Sequence, residues 1–529
     1  MSETIYFGGP IITMETPVLP EAVLVQNGRI AGIGDLYDLR EVAPDAKLYD
    51  LCGHTMLPAF IDAHSHITNF ASTLGLVELS GAPSFDALAQ RLQNFATSVV
   101  LSAGQWISGF GYDHNFLAEK AHPTKELLDM VSADHPIIIA HASGHMGVCN
   151  SAALAALGIS AASPDPEGGK IGRMPGSCEP SGYLEETAFT MIGSKIPQPT
   201  TEQLLGQLER AQDIYLSYGI ATAQDGLTRT QEWALLRAAA EQKKLKLDIV
   251  SYIDLNLCEE LAQDNPYFKT YRDHLKLGGY KIFLDGSPQG RTAWITEDYL
   301  GQAGEHGYPI YDTTRVKDFM VQALTEDTQI LVHCNGDAAA QQLLDAYRDA
   351  MAETGKSGIR PVMIHAQLLR RDQLALLPPL GMIASFFVAH TRYWGDVHLE
   401  NLGKERADYI SPVQSAIQHG VRYTFHQDTP VLPPDMLDTV QCAVERKTKG
   451  GQLLAQSECV SVYDALKAVT INAAYQYFEE YTKGSIAVGK VADFVILDQD
   501  PLHTPLESLR NIRVLNTIKH GVVVYTNHT

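Results

Sequence analysis

The stretch "FIDAHSHI", Phe60 to Ile67, sets two histidines one residue apart at the end of an apolar run. In an extended chain residues i and i+2 point to the same side, so His64 and His66 are predicted to project together from a strand entering the core. Two neutral imidazoles side by side pack poorly but make a good pair of metal ligands. For an isolated H-x-H, a pair of loop histidines is the plainer reading. The rest of the chain has to decide.

Downstream, apolar runs end abruptly in polar residues and are separated by helical patterns. They are "GIATAQDG" (Gly219–Gly226), "KLDIVSYID" (Lys246–Asp254), "GGYKIFLDG" (Gly278–Gly286), "TQILVHCNGD" (Thr328–Asp337), "RPVMIHAQ" (Arg360–Gln367), "MIASFFVAH" (Met382–His390) and "VRYTFHQD" (Val421–Asp428). With the first run they make eight candidate strands. Buried parallel strands read as continuous apolar runs, and eight βα units make a TIM (β/α)8 barrel. A doubly wound open sheet is the competitor, and strand count and ligand placement both favour the barrel.

One interval is too long for a crossover. About 150 residues separate His66 from Gly219, so an insertion is expected at roughly 68–216. The two ends of the chain have another texture, short strands with tight turns at Asn27-Gly28 and His520-Gly521. Residues 1–56 and 482–529 are therefore expected to meet in one small β-sandwich domain, with 57–481 as the barrel domain.

The strand ends carry the chemistry. Strand one ends at His64 and His66, strand four carries Lys281, strand five ends near His333, strand six near His365, and strand eight at Asp428. Barrels gather such residues at one face whatever their distance in sequence. Four histidines, an aspartate and a lysine form a ligand set for two divalent metals. An ammonium has no lone pair, so Lys281 fits only if CO₂ has converted it to a carbamate, an anionic bridge between two cations. Taken singly, Asp428 could cap a turn before proline and Lys281 could pair with Glu186. Glu185 and Glu186 are also rival bridges. His426 is expected to support the ligands rather than to ligate.

The remaining totals exclude alternatives. Sixty-two acidic residues against 40 basic ones give a formal charge of −22, which argues against nucleic-acid and anionic-membrane surfaces. Seven scattered cysteines without C-x-x-C fit a reducing cytoplasm. No apolar stretch approaches the roughly 20 residues of a membrane span, and no signal peptide is read at the start.

The order H-x-H, Lys, His, His, Asp resembles the binuclear amidohydrolase superfamily. "LPAFIDAHSHI" matches its strand-one signature and "KGSIAVGKVADFVILDQDPL" its return to the small sheet. More narrowly, "GFGYDHN", "GHMGVCNSAAL", "KIFLDGSPQGRTAW", "HCNGDAA", "IHAQ" and "FHQDTPVLPPD" resemble amidohydrolase family three, which includes N-substituted formamide deformylases. The resemblance implies that His64, His66, His333, His365 and Asp428 are metal ligands, that Asp428 also shuttles protons, and that Lys281 is the carboxylated bridge. It implies hydrolysis of a non-peptide amide or formamide bond with two divalent ions. Zn²⁺ is expected, with Mn²⁺, Fe²⁺ or Co²⁺ as alternatives. Esters, lactones or cyclic imides are the second reading, and a non-catalytic regulatory barrel is a remote one. The expected partner is a small amide-like molecule, and a homo-oligomer stays open. Candidate substrate contacts are Tyr112, Asp113, His145, Asn150, His390, Arg392 and Trp394. His145 and His390 lead among them, His145 as the catalytic donor to the oxyanion.

Overall fold

The computed structural model describes residues 3–15, 19–99, 101, 104–114, 116–141, 146–166, 169–192, 196 and 199–528. Eight strands form one parallel sheet in chain order: β1 (Phe60–Ile61), β2 (Ile220–Thr228), β3 (Asp248–Asp254), β4 (Leu275–Phe283), β5 (Gln329–Cys334), β6 (Val362–His365), β7 (Ile383–Phe386) and β8 (Arg422–Phe425). The sheet curls into a TIM-like barrel. Every residue of β3, β6 and β7 is buried, as strands covered on both faces require. The two amphipathic stretches after β4 and β5 are helices, Thr313–Thr325 and Asp337–Thr354. Asp312 caps the first by accepting from the Arg315 N–H, and Gly355 ends the second in the left-handed conformation.

The first strand differs from its sequence reading. β1 is only two residues long, and His64 and His66 lie beyond it. Their shared direction comes from neighbours rather than from the pleat. The Gly226 N–H donates to Ser65 O at 2.7 Å, and the His66 N–H donates to Thr429 O at 2.8 Å. The end of β2 and the segment after β8 therefore hold the H-x-H between them.

The chain ends build two sheets. The first joins Arg29–Gly34, Ala22–Gln26, Glu3–Phe7 and Lys47–Asp50; the second joins Val522–Thr526, Val514–Lys519, Phe494–Leu497 and Thr55–Pro58. They share an apolar core of Tyr6, Val23, Ile30, Met56, Phe494, Ile496 and Ile518. Both predicted turns occur, each with two consecutive positive φ values as a two-residue hairpin requires. By contacts these sheets belong with the barrel, in a unit of Met1–Phe70 and Leu208–Thr529.

Ala71–Gln207 forms a second compact unit. It contains a six-stranded mixed sheet, including Ile107–Tyr112 and the apolar run Ile137–His141. A cavity of about 770 Å³ in the first unit is lined by strand-start residues of the barrel, among them Asp248, Lys276 and Gln329, with Glu479 and Lys483. No helix among the described residues is long and apolar enough to cross a membrane.

Candidate metal centre

At the carboxyl ends of the barrel strands the six predicted ligands converge. Asp428 Oδ1 lies 3.5 Å from His64 Nε2 and 3.3 Å from His66 Nε2, with no well-aligned hydrogen bond at that oxygen. His333 Nδ1 faces His365 Nε2 at 3.1 Å. Ligand atoms about 2.0–2.1 Å from a tetrahedral ion stand roughly 3.3 Å apart, so both groupings have the spacing a cation demands. Lys281, fully buried within β4, places Nζ 3.4 Å from His64 Nε2, and its charge also acts on His333 and His365.

The surroundings fix which nitrogens offer lone pairs. Gln224 Oε1, 2.6 Å from His64 Nδ1, can only accept from it, because the Gln224 amide nitrogen donates to Ala63 O and to the Tyr477 hydroxyl. His64 Nε2 is thereby left bare. His333 Nε2 faces the Gly286 carbonyl at 3.2 Å and the Asn335 amide nitrogen at 3.1 Å; the bond to the carbonyl, which can only accept, leaves Nδ1 bare. This is how neighbouring groups orient metal-binding imidazoles. Asp285 shapes the same corner by accepting from the N–H groups of Asn335, Gly336 and Trp294.

Burial keeps these rings neutral. It pushes His64 and His365 well below the usual histidine range, and takes His333 and His426 down to about 4. Neutral imidazole is the ligating form. Burial opposes charge on Asp428, yet His66 and the neighbouring cationic groups hold it below the usual carboxylate range. Burial also lowers Lys281 to about 7. His426 sits 5.1 Å from the His64 ring and 5.3 Å from the His365 ring, and neither of its nitrogens has a well-aligned hydrogen bond. The donor set fits divalent metal.

The other predicted residues fall in two places. His390 and Trp394 follow β7, their rings 4.6 Å apart, with Arg392 between them in sequence. Phe387 packs on His390 at 4.7 Å and on His426 at 5.2 Å, so an aromatic wall runs from His426 through Phe387 to His390 and Trp394. Tyr112, Asp113 and Asn150 belong to the inserted unit. Tyr112 is fully buried, with its hydroxyl 3.0 Å from His122 Nδ1. Asn150 is a correction. Its Oδ1 accepts from the Ile137 and Ala153 N–H groups and its Nδ2 donates to Ser132 O and His135 O, so its amide is saturated by the chain it caps. Glu185 also lies in that unit, where it accepts from the Tyr183 hydroxyl. His145 lies outside the described residues.

The sequence reading does not single out Gln224, Asp285 or Asn335. A signal existed for Gln224, a polar residue inside a continuous apolar strand, since buried polar groups are the informative exceptions. Asp285 follows a barrel strand's carboxyl end, which is itself a functional position.

A parallel eight-stranded barrel whose strand ends gather four histidines, a lysine and an aspartate defines a metal-dependent hydrolase of the TIM-barrel kind. Comparison with known proteins agrees and goes further: the amidohydrolase family model Amidohydro_3 matches residues 47–525. The chain belongs to that family. YtcJ of Bacillus subtilis (strain 168) is 29% identical over 542 residues, covering 99% of each chain. The N-substituted formamide deformylase of Arthrobacter pascens is 28% identical over 527 residues, covering 96% of this chain and 95% of that one. Among solved structures, an uncharacterized metal-dependent hydrolase from Pyrococcus furiosus superposes with a TM-score of 0.75 at 25% identity. It covers 94% of this chain and 100% of its own.

Proposed function

We propose that this protein hydrolyses a non-peptide carbon–nitrogen bond, an amide or formamide, at a centre of two divalent ions held by His64, His66, His333, His365 and Asp428 and bridged by carboxylated Lys281. The observation that supports two ions is the split of the ligands into two groupings, each at metal spacing, with Lys281 acting on both. Zn²⁺ suits this mixed nitrogen and oxygen set.

When bound, the ions supply hydroxide near neutral pH and a Lewis acid for the carbonyl. The chain's own residues do the rest. Gln224 and Gly286 hold the His64 and His333 rings so that no reorientation is needed on loading. Asp428, kept ionised, accepts the proton of the nucleophile and hands it to the departing nitrogen, because an amide anion is too poor a leaving group. Phe387, His390 and Trp394, their rings tilted against one another, offer an aromatic wall to the substituent on the amide. At Lys281 the neutral amine adds to CO₂, forming the N–C bond and releasing a proton. The carbamate removes a buried ammonium that no carboxylate neutralises by a direct hydrogen bond among the described residues, a costly arrangement otherwise.

A hydrolysis screen of the metal-loaded protein tests the reading, with N-substituted formamides, acyl-amines, N-acyl amino acids, esters and lactones offered side by side. Turnover of formamides or acyl-amines above the oxygen esters is expected. Preference for esters or lactones would replace the amide assignment.

A further inference from the structure

The inserted unit holds a second gathering of imidazoles. Strands Ile107–Tyr112 and Ile137–His141 are parallel neighbours, with Tyr112 in register with His141. Asp113 and His114 therefore leave the sheet beside His141, at carboxyl ends, where sheets of parallel strands collect ligands. His114 Nδ1 lies 3.2 Å from His141 Nε2, and Asp113 Oδ1 lies 3.4 Å from His141 Nε2 and 3.9 Å from His114 Nδ1. The His122 ring stacks on His114 with centroids 4.1 Å apart.

We propose that Asp113 Oδ1, His114 Nδ1 and His141 Nε2 bind a divalent transition-metal ion within the inserted unit, using none of the barrel's ligands. The three separations bracket the roughly 3.3 Å expected around a tetrahedral ion, and two imidazoles with one carboxylate make a ligand set suited to zinc. The side chains of Asp113 and His114 are 25% and 29% exposed, against 8% for His141. One side of the site is anchored in the fold and the other is open to water, so a coordination position remains for a water or an anionic ligand. A comparable grouping in the first unit, Asp248 with Asp493 and His520, lacks this character. There Lys483 and Lys519 stand 2.6 and 2.9 Å from Asp248 and already supply the positive charge.

The competing arrangement is an imidazole–imidazole–carboxylate hydrogen-bond chain that takes up no metal, and anomalous scattering separates the two on the unaltered protein. Crystals of the full chain equilibrated with Zn²⁺ are expected to show an anomalous peak about 2.0–2.2 Å from all three atoms. Strong peaks in the barrel with none at these residues overturn the proposal. In solution, His141→Ala is expected to hold one zinc equivalent fewer per chain than the wild type by elemental analysis, with an unchanged circular dichroism spectrum. Should that variant misfold, Asp113→Asn serves in its place, with zinc affinity at this site expected to fall at least tenfold. A folded variant with the wild-type zinc content and affinity overturns the site.

Discussion

The proposed mechanism gives Asp428 two duties that one substitution separates. As a ligand it needs only an oxygen lone pair near His64 and His66; as a proton carrier it needs a charge. Asp428→Asn keeps the size and one oxygen, so bound metal is expected to remain largely in place while turnover falls roughly 10²-fold or more. Metal analysis alongside amide hydrolysis checks this, and full turnover would move the proton to another group. Lys281 raises a different question, because its side chain is entirely buried. Lys281→Ala is expected to be inactive, with formate or acetate partly restoring metal binding and turnover by filling the vacated bridge. If short carboxylates restore neither, the bridging role falls.

At the scale of the element, the metal centre depends on how closely strand ends approach one another. Gly226, near the end of β2, is the tightest case. A Cβ there would stand 2.6 Å from His64 Cε1 and 2.7 Å from Gln224 Oε1, inside any real contact distance. Gly226→Ala must therefore turn the His64 ring or break its bond to Gln224. Changes to groups that orient a ligand typically cost 10–100-fold in metal affinity, and a loss of that size is expected on metal titration of the refolded apoprotein. Wild-type affinity would show that the Gln224 contact does not set the ring.

At the scale of the whole molecule, a buried charge network lies at the other end of the barrel, away from the strand ends where the six candidate ligands meet. Asp248, Lys276, Glu479, Lys483 and Lys519 form a buried network, with Lys483 2.6 Å from Asp248 and 3.0 Å from Glu479. Burial opposes its charges. Even so, Lys483 and Lys519 hold Asp248 well below the carboxylate range, and Asp248 and Glu479 hold Lys483 above the lysine range. Lys276 runs the other way, lowered by burial despite Glu479. A depressed carboxyl stabilises the fold above its unfolded value of about 4 and stops doing so as pH falls through the folded one; a raised lysine stabilises below about 10.4. The network therefore supports the fold across neutral pH and fails in acid. Lys483→Met is expected to cost about 3 kcal/mol and to move the acid unfolding midpoint to higher pH. Thermal and acid melts followed by fluorescence measure both, and unchanged melts would mean the network contributes nothing.

The sequence by itself determined the barrel and the six side chains that meet at its strand ends. Both are written in local signals: continuous apolar strands, and polar residues at the point where each run stops. The fold places those points at one face regardless of sequence distance, so His64, His66, Lys281, His333, His365 and Asp428 could be read without knowing any contact. The two hairpins at Asn27-Gly28 and His520-Gly521 were legible for the same reason, since turn chemistry is local. Tertiary structure alone decided the rest. It brought Gln224 and Gly286 onto the second nitrogens of His64 and His333. It took the H-x-H out of the pleat and held it between the end of β2 and the segment after β8. It joined Thr55–Pro58 to strands from the other chain end in one sheet. Each depends on which segments become neighbours, and hydrogen bonds between separate segments, 47 positions apart for Gly286 and His333 and 160 for His64 and Gln224, leave no periodicity in a single sequence.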